Sequence, residues 1–411
     1  MIHVFSLSYR RYQLLSLLTH FFQTFPKCGN CSIYLRTKRM SSSVPRTQSS
    51  RWKNLSKSFE DTYSDFVCLI REFDQPDEGQ EDFAKLLSYN LTGGKRVRGA
   101  IVAATVEAFC PKESITIDCV HRAHLTGWCI EMLHAGFLVL DDIVDNSPTR
   151  RGKPSWFSHV RQNAGNGLFA INDGLHLIMT TKYVLHKIFA SNSGCPVGFV
   201  KVLRLFDEVG YRTCWGQILD CRNSWVSNSA ENGIFPLERF TPATFDAIAR
   251  WKTGFYTFYL PVACGMAIAG VEDEELYSRA QEILLKLGKY FQAQDDFLDC
   301  FGDVGLTGKI GTDIADGKCS WLVVECILRA SAEELKIIQK CYGRSDEASQ
   351  SAVRTLYEKL RLPEAFRTYE ARTQEEIIQN IETWDVPDTA DSWTPRHLFR
   401  LLTFMLFQRS R

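Results

Sequence analysis

Two short acidic runs hold the residues best placed to do chemistry in this sequence. One is FLVLDDIVD, spanning Phe137–Asp145, and the other is FQAQDDFLD, spanning Phe291–Asp299. In each, the first and last aspartates are four positions apart. On a helix Asp141 and Asp145, or Asp295 and Asp299, therefore project from one face about 5–6 Å apart. Asp142 and Asp296 stand beside those pairs as flanking carboxylates. Carboxylates held this close repel, and a cavity screens them far less than bulk water does. A hard divalent cation relieves the repulsion. Mg²⁺ takes oxygen ligands, keeps several waters and binds a few carboxylates together with substrate phosphates. The competing reading is two solvated acidic helix faces. Against it, an apolar turn precedes each run and basic residues accompany both.

Those basic residues complete the pattern. Gly93-Gly94-Lys95-Arg96-Val97-Arg98 offers a flexible glycine pair and three cations, which suits a phosphate-binding loop leading into a helix. Arg150 and Arg151 follow Asp145 by one loop, and further along come Lys252-Thr253, Lys309 in TGKIGTD and Lys318 in DGKCSW. Taken singly, each reads as a solvated surface cation. With the carboxylates, they describe a site with room for two diphosphates, one bound through metal and the other directly by Arg and Lys.

The elements that must position these groups are helical. Beyond roughly Trp52 prolines are sparse, and apolar residues recur at three- and four-residue spacing, as in Ile283, Leu284, Leu287, Tyr290 and Phe291. Alternating segments with hairpin turns are essentially missing, and Asn223 to Pro236 reads as a loop between long helices. The reading is an all-α catalytic body, 51–411, forming one domain. Residues 1–50 contain no Asp or Glu but many Arg, Lys, Ser and Thr, the composition of a mitochondrial transit segment; if translation starts at Met40, the expectation is cytoplasmic. The apolar run Phe5 to Phe22 is interrupted by Arg10-Arg11, so no integral membrane span is expected there. The 48 basic and 48 acidic residues balance, which gives no argument for nucleic acid as a partner. The 14 cysteines are scattered and read as reduced thiols, with no disulfide and no zinc expected.

The motifs GGKRVRG, FLVLDDIVDNSPTRRGKPSW, INDG, GQILD, KTGFYTFYLP, FQAQDDFLD and TGKIGTDIADGKCSWLVV occur in the order found in farnesyl diphosphate synthases. From about Phe59 to the C-terminus the chain resembles that family of trans-isoprenyl diphosphate synthases, and more loosely its eukaryotic, insect-like members. The resemblance implies a single-domain antiparallel helical bundle around a deep central cavity, a homodimer, and about three Mg²⁺ ions. By resemblance, Asp141, Asp145 and Asp295 ligate Mg²⁺, supported by Asp142, Asp296 and Asp299. Arg150, Lys252, Thr253, Gln292, Lys309 and Lys318 would hold an allylic diphosphate. Lys95, Arg98, His134 and Arg151 would hold isopentenyl diphosphate. Lys252, Thr253 and Gln217 would sit near the carbocation that forms when the allylic C–O bond breaks.

Three positions depart from the usual eukaryotic pattern: Val97, His134 and Gly136. The family commonly carries an aromatic five residues before the first aspartate, at the floor of the chain-length pocket, where only Phe137 remains aromatic here. Gly136 then means either close helix–helix packing or a roomier pocket. The latter would suit a longer or ethyl-branched chain, as in juvenile hormone pathways. Two other functions remain open at this level: a terpene synthase that ionises a finished prenyl diphosphate, and a non-catalytic binding subunit.

Overall fold

The most apolar long segment of the chain becomes its central helix. The computed structural model describes residues 46–73, 76–190, 198–224, 235–302, 311–386 and 393–408. Residues 1–45, read above as most of a transit segment, Lys309 and most of the loop after Asn223 lie outside the described residues. Helices α1 (Arg46–Asp61), α2 (Tyr63–Arg71), α3 (Asp77–Leu91) and α4 (Val97–Phe109) precede α5 (Ile117–Val144). A short hairpin follows, β1 (Thr149–Arg150) and β2 (Lys153–Pro154), then α6 (Trp156–Ala164), α7 (Ala170–Ile188) and α8 (Phe199–Arg222). Helix α9 (Pro242–Ile248) runs into a π-helical stretch, Ala249–Tyr259, and on into α10 (Leu260–Ile268). The body ends with α11 (Glu274–Phe301), α12 (Trp321–Arg329), α13 (Ala332–Cys341), α14 (Glu347–Lys359), α15 (Leu362–Glu382) and α16 (Pro395–Phe407). Helix α1 starts inside the segment read as a leader, so the folded body begins slightly before residue 51.

Every residue of α5 from Ala123 to Gly136 is buried, as expected for a helix apolar on all sides. It is long and apolar enough to cross a membrane, but its apolar stretch is mostly covered by protein, chiefly α4, α7 and α10. Thr116 caps its start by accepting the Cys119 N–H. Trp128 anchors its middle, stacking on Phe59 at 4.5 Å between ring centres and donating its indole N–H to Thr62 at 3.1 Å. A second aromatic cluster pins α11 to α15 and α16, with Tyr290 stacked on Phe407 at 4.0 Å and Phe297 on Phe366 at 4.3 Å. These contacts fix the two helices that carry the acidic runs.

The hairpin is the departure from an all-helical expectation. Thr149 pairs with Pro154 and Arg150 with Lys153. Arg151 and Gly152, at φ 55° and 73°, supply the two left-handed residues of a tight turn. Strands of two residues are too short to show alternation in the sequence.

Candidate active site

Both acidic runs lie in the closing turns of their helices, α5 and α11. That end already carries partial negative charge from the peptide dipoles, and carboxylates there are unfavourable without cations. The cations are present. Arg150 Nε donates to Asp142 at 3.0 Å, and its Nη2 also bonds Asp142 and stands 3.7 Å from Asp141. Burial alone would lower the Arg150 pKa, but Asp142, Asp141 and Asp295 hold it above its ordinary value. One guanidinium thus feels carboxylates of both runs.

The middle aspartates are supports rather than open ligands. Asp142 and Asp296 are both buried. Asp296 accepts the Trp321 N–H at 2.7 Å, at the start of α12, and the Gln292 amide at 2.9 Å. Its burial outweighs those bonds and pushes its pKa up to about 7. Asp299 accepts the Asp313 N–H at 3.0 Å.

The outer aspartates of the first run face lysines. Asp141 accepts from Gln217 at 2.9 Å and Lys252 at 3.1 Å, and Asp145 accepts from Lys318 at 2.9 Å. Burial would raise the Asp141 pKa, yet Lys252, Arg150 and Lys318 bring it below the ordinary value. Burial and the neighbouring Asp141 charge push Asp145 up despite Lys318. Asp220 lies within this network, although sequence reasoning gave it no role. It takes Lys252 at 2.7 Å and Lys318 at 3.0 Å. Its position in GQILD, three residues after Gln217 on the same helix face, was the available signal. Gly216 makes the arrangement possible: a Cβ there would meet the Lys252 backbone nitrogen at 2.0 Å, so α8 and the π-helical stretch touch backbone to backbone. That stretch carries Lys252 and Thr253, and Thr253 donates to Gln292 at 2.6 Å. Pro261 downstream has no N–H to return to the helix, one local reason for the irregular turn.

The hairpin separates the two arginines. Arg150 turns back to Asp142, whereas Arg151 donates to the Asn90 carbonyl at 3.2 Å and lies against Gly94. The glycine-rich loop and the hairpin thus meet. Arg98 donates to the Thr257 hydroxyl at 3.1 Å and lies 5.1 Å from the Tyr256 ring centre; Lys95 is exposed at the start of α4. His134 is buried and stacks on Tyr256 at 5.6 Å, and among the described residues its Nδ1 has no hydrogen-bond partner. Burial, then the charges of Arg98, Arg151 and Arg150, hold its pKa well below the ordinary histidine value. The unfolded chain takes up a proton here below about pH 6.5 and the folded chain does not. Stability is therefore lost as pH falls below that value. Urea unfolding of wild type and His134→Gln should diverge below pH 6.5, by up to about 1.4 kcal/mol per pH unit, with wild type losing more.

Gly136 lies against α7. A Cβ there would meet Ile178 Cγ1 at 2.7 Å and the Gly174 carbonyl oxygen at 3.0 Å. The missing side chain permits the close approach of α5 to α7. Phe137 is half-buried, edge-on to Tyr256 at 5.8 Å. Gly136→Phe should cost about 1–3 kcal/mol or more by overpacking, read by urea unfolding, without a clean change in product length.

Among the described residues no three His, Cys, Asp or Glu side chains gather into a ready-made metal cage. The donor set fits Mg²⁺ nonetheless, since that ion binds through one or two carboxylates and completes its shell with water and phosphate. Asp141 and Asp145 are hard oxygen donors whose charge is met here by ammonium groups.

The pattern that defines polyprenyl synthetases matches residues 80–360. The chain belongs to the polyprenyl synthetase family. Human farnesyl pyrophosphate synthase is 38% identical over 335 residues, covering 80% of this chain and 77% of the human one. The farnesyl pyrophosphate synthase of Nezara viridula is 36% identical, covering 77% and 75%. A T. brucei farnesyl diphosphate synthase structure, complexed with bisphosphonate, superimposes with a TM-score of 0.75 at 30% identity, covering 87% of this chain and 100% of that one. This polyprenyl synthetase is thus a prenyltransferase of the farnesyl diphosphate synthase type, with the all-α fold of those structures.

Proposed function

We propose that the enzyme condenses an allylic diphosphate, dimethylallyl or geranyl, with isopentenyl diphosphate to give farnesyl diphosphate or a homologue, in the presence of Mg²⁺. One observation supports this reading: two clusters of basic side chains flank a single hairpin. The first mixes carboxylates with Arg150, Lys252 and Lys318. The second is cationic, with Arg98 and Arg151 near the neutral His134. An enzyme that only ionises an allylic diphosphate needs the first; condensation needs both.

In this reading Arg150, Lys252 and Lys318 bind the allylic diphosphate and neutralise the charge that grows as the C–O bond breaks. Asp141, Asp145 and Asp295 would hold Mg²⁺, which would supply Lewis-acid stabilisation of the leaving group. Arg98, Arg151 and His134 orient isopentenyl diphosphate so that its double bond attacks the allylic cation. Proton loss from the new bond's neighbour completes the product, with the departed diphosphate as base. Gln217, Thr253 and the carbonyls of the irregular helix turn polar dipoles toward the cation, and the apolar surroundings keep water away.

The enzyme incubated with Mg²⁺ and geranyl diphosphate should form a longer diphosphate only when isopentenyl diphosphate is present. A hydrocarbon or alcohol formed without it would instead identify a terpene synthase. We also propose that a second copy covers α7, where Ile171, Leu175, Met179 and Tyr183 recur every four residues and are exposed. Light scattering should then give twice the chain's mass, and a monomer would refute it.

A further inference from the structure

Asp220 is part of neither acidic run, yet it holds two cations of the site at once. Lys252 Nζ stands 2.7 Å from Asp220 and 3.1 Å from Asp141. Lys318 Nζ stands 3.0 Å from Asp220 and 2.9 Å from Asp145. The Asp220 side chain is only 8% exposed, and the contact at Gly216 fixes its helix against the backbone of Lys252. Each lysine therefore bridges one shared inner carboxylate and one outer carboxylate of the acidic run. The outer carboxylates are the ones a divalent cation must reach. While the ammonium groups sit on them, one oxygen of each carboxylate is engaged.

We propose that Asp220 is a positioning residue that couples diphosphate binding to cation binding. It anchors Lys252 and Lys318 as a pair, so that a diphosphate draws both ammonium groups off Asp141 and Asp145 and frees those oxygens for Mg²⁺. This inference rests on the prenyl diphosphate reading of the same site. A shared anchor matters because the two lysines repel each other. Without the Asp220 charge their remaining counter-ions among the described residues are Asp141 and Asp145, which then hold them more tightly and compete harder with a cation. Diphosphate alone, in contrast, meets a site with one negative charge fewer. Removing the charge therefore weakens the cooperation between the two ligands without weakening diphosphate binding itself.

The test is calorimetric titration of inorganic pyrophosphate into the full chain, once in EDTA and once with saturating Mg²⁺. The ratio of the two affinities is the coupling, and by linkage it measures the effect of pyrophosphate on Mg²⁺ as well. In Asp220→Asn the coupling should fall at least about tenfold, while affinity in EDTA stays the same or rises. Asp220→Glu keeps the charge and should retain the coupling within about threefold. Equal coupling in wild type and Asp220→Asn overturns the proposal alone. So does a parallel loss of affinity in both buffers for both variants, which would mark a packing role. A wild-type chain that binds no pyrophosphate in either buffer overturns the prenyl diphosphate reading and this inference with it.

Discussion

Asp141→Asn should lower kcat at least about 10³-fold while the chain stays folded, because the lost interaction is one that matters most as the leaving group departs. Asp141 is the point where three elements meet: α5 supplies it, α8 brings Gln217 at 2.9 Å, and the π-helical stretch brings Lys252 at 3.1 Å. An amide keeps the shape but removes the hard anionic oxygen that a divalent cation requires. Lys252 keeps Asp220 as a partner at 2.7 Å, so the buried ammonium is not stranded and the fold is spared the larger penalty of an unpaired charge. Steady-state turnover with labelled isopentenyl diphosphate, beside a thermal melt, checks both halves. A kcat within tenfold of wild type would remove Asp141 from the centre of the account.

The second large effect falls on the other substrate. Arg98→Leu should raise the KM for isopentenyl diphosphate about 100-fold, the loss expected when one or two charge-assisted hydrogen bonds to a diphosphate disappear. The KM for geranyl diphosphate should move no more than about threefold, since Arg98 stands with Thr257 and Tyr256 rather than with the acidic runs. Varying each substrate at saturation of the other separates the two constants. An equal rise in both would mean that the two anion neighbourhoods are not distinct.

The helical body was readable from the sequence because prolines are sparse and α11 keeps its three- and four-residue apolar spacing up to the second acidic run. The chemistry of the acidic runs was readable for the same local reason: four-residue spacing on a helix fixes a shared face. The partners of those faces were less visible. Asp220 acts through Lys252 and Lys318, which are remote in sequence, and no local pattern reports such a meeting. The division of labour between Arg150 and Arg151 arises from a two-residue turn, too short for any periodic signal. Gly136 shows the converse difficulty. A missing side chain looks the same in the sequence whether it faces a cavity or a neighbouring helix, and only the nearness of Ile178 and Gly174 distinguishes the two.

In this reading α5 and α11 present their acidic ends to one bound diphosphate. Anomalous diffraction from crystals soaked in Mn²⁺ and inorganic pyrophosphate tests it most directly. Manganese peaks should bridge the pyrophosphate to Asp141 and Asp145 on one side and to Asp295 on the other. Peaks confined to one helix end, or scattered on the surface away from the pyrophosphate, would contradict it.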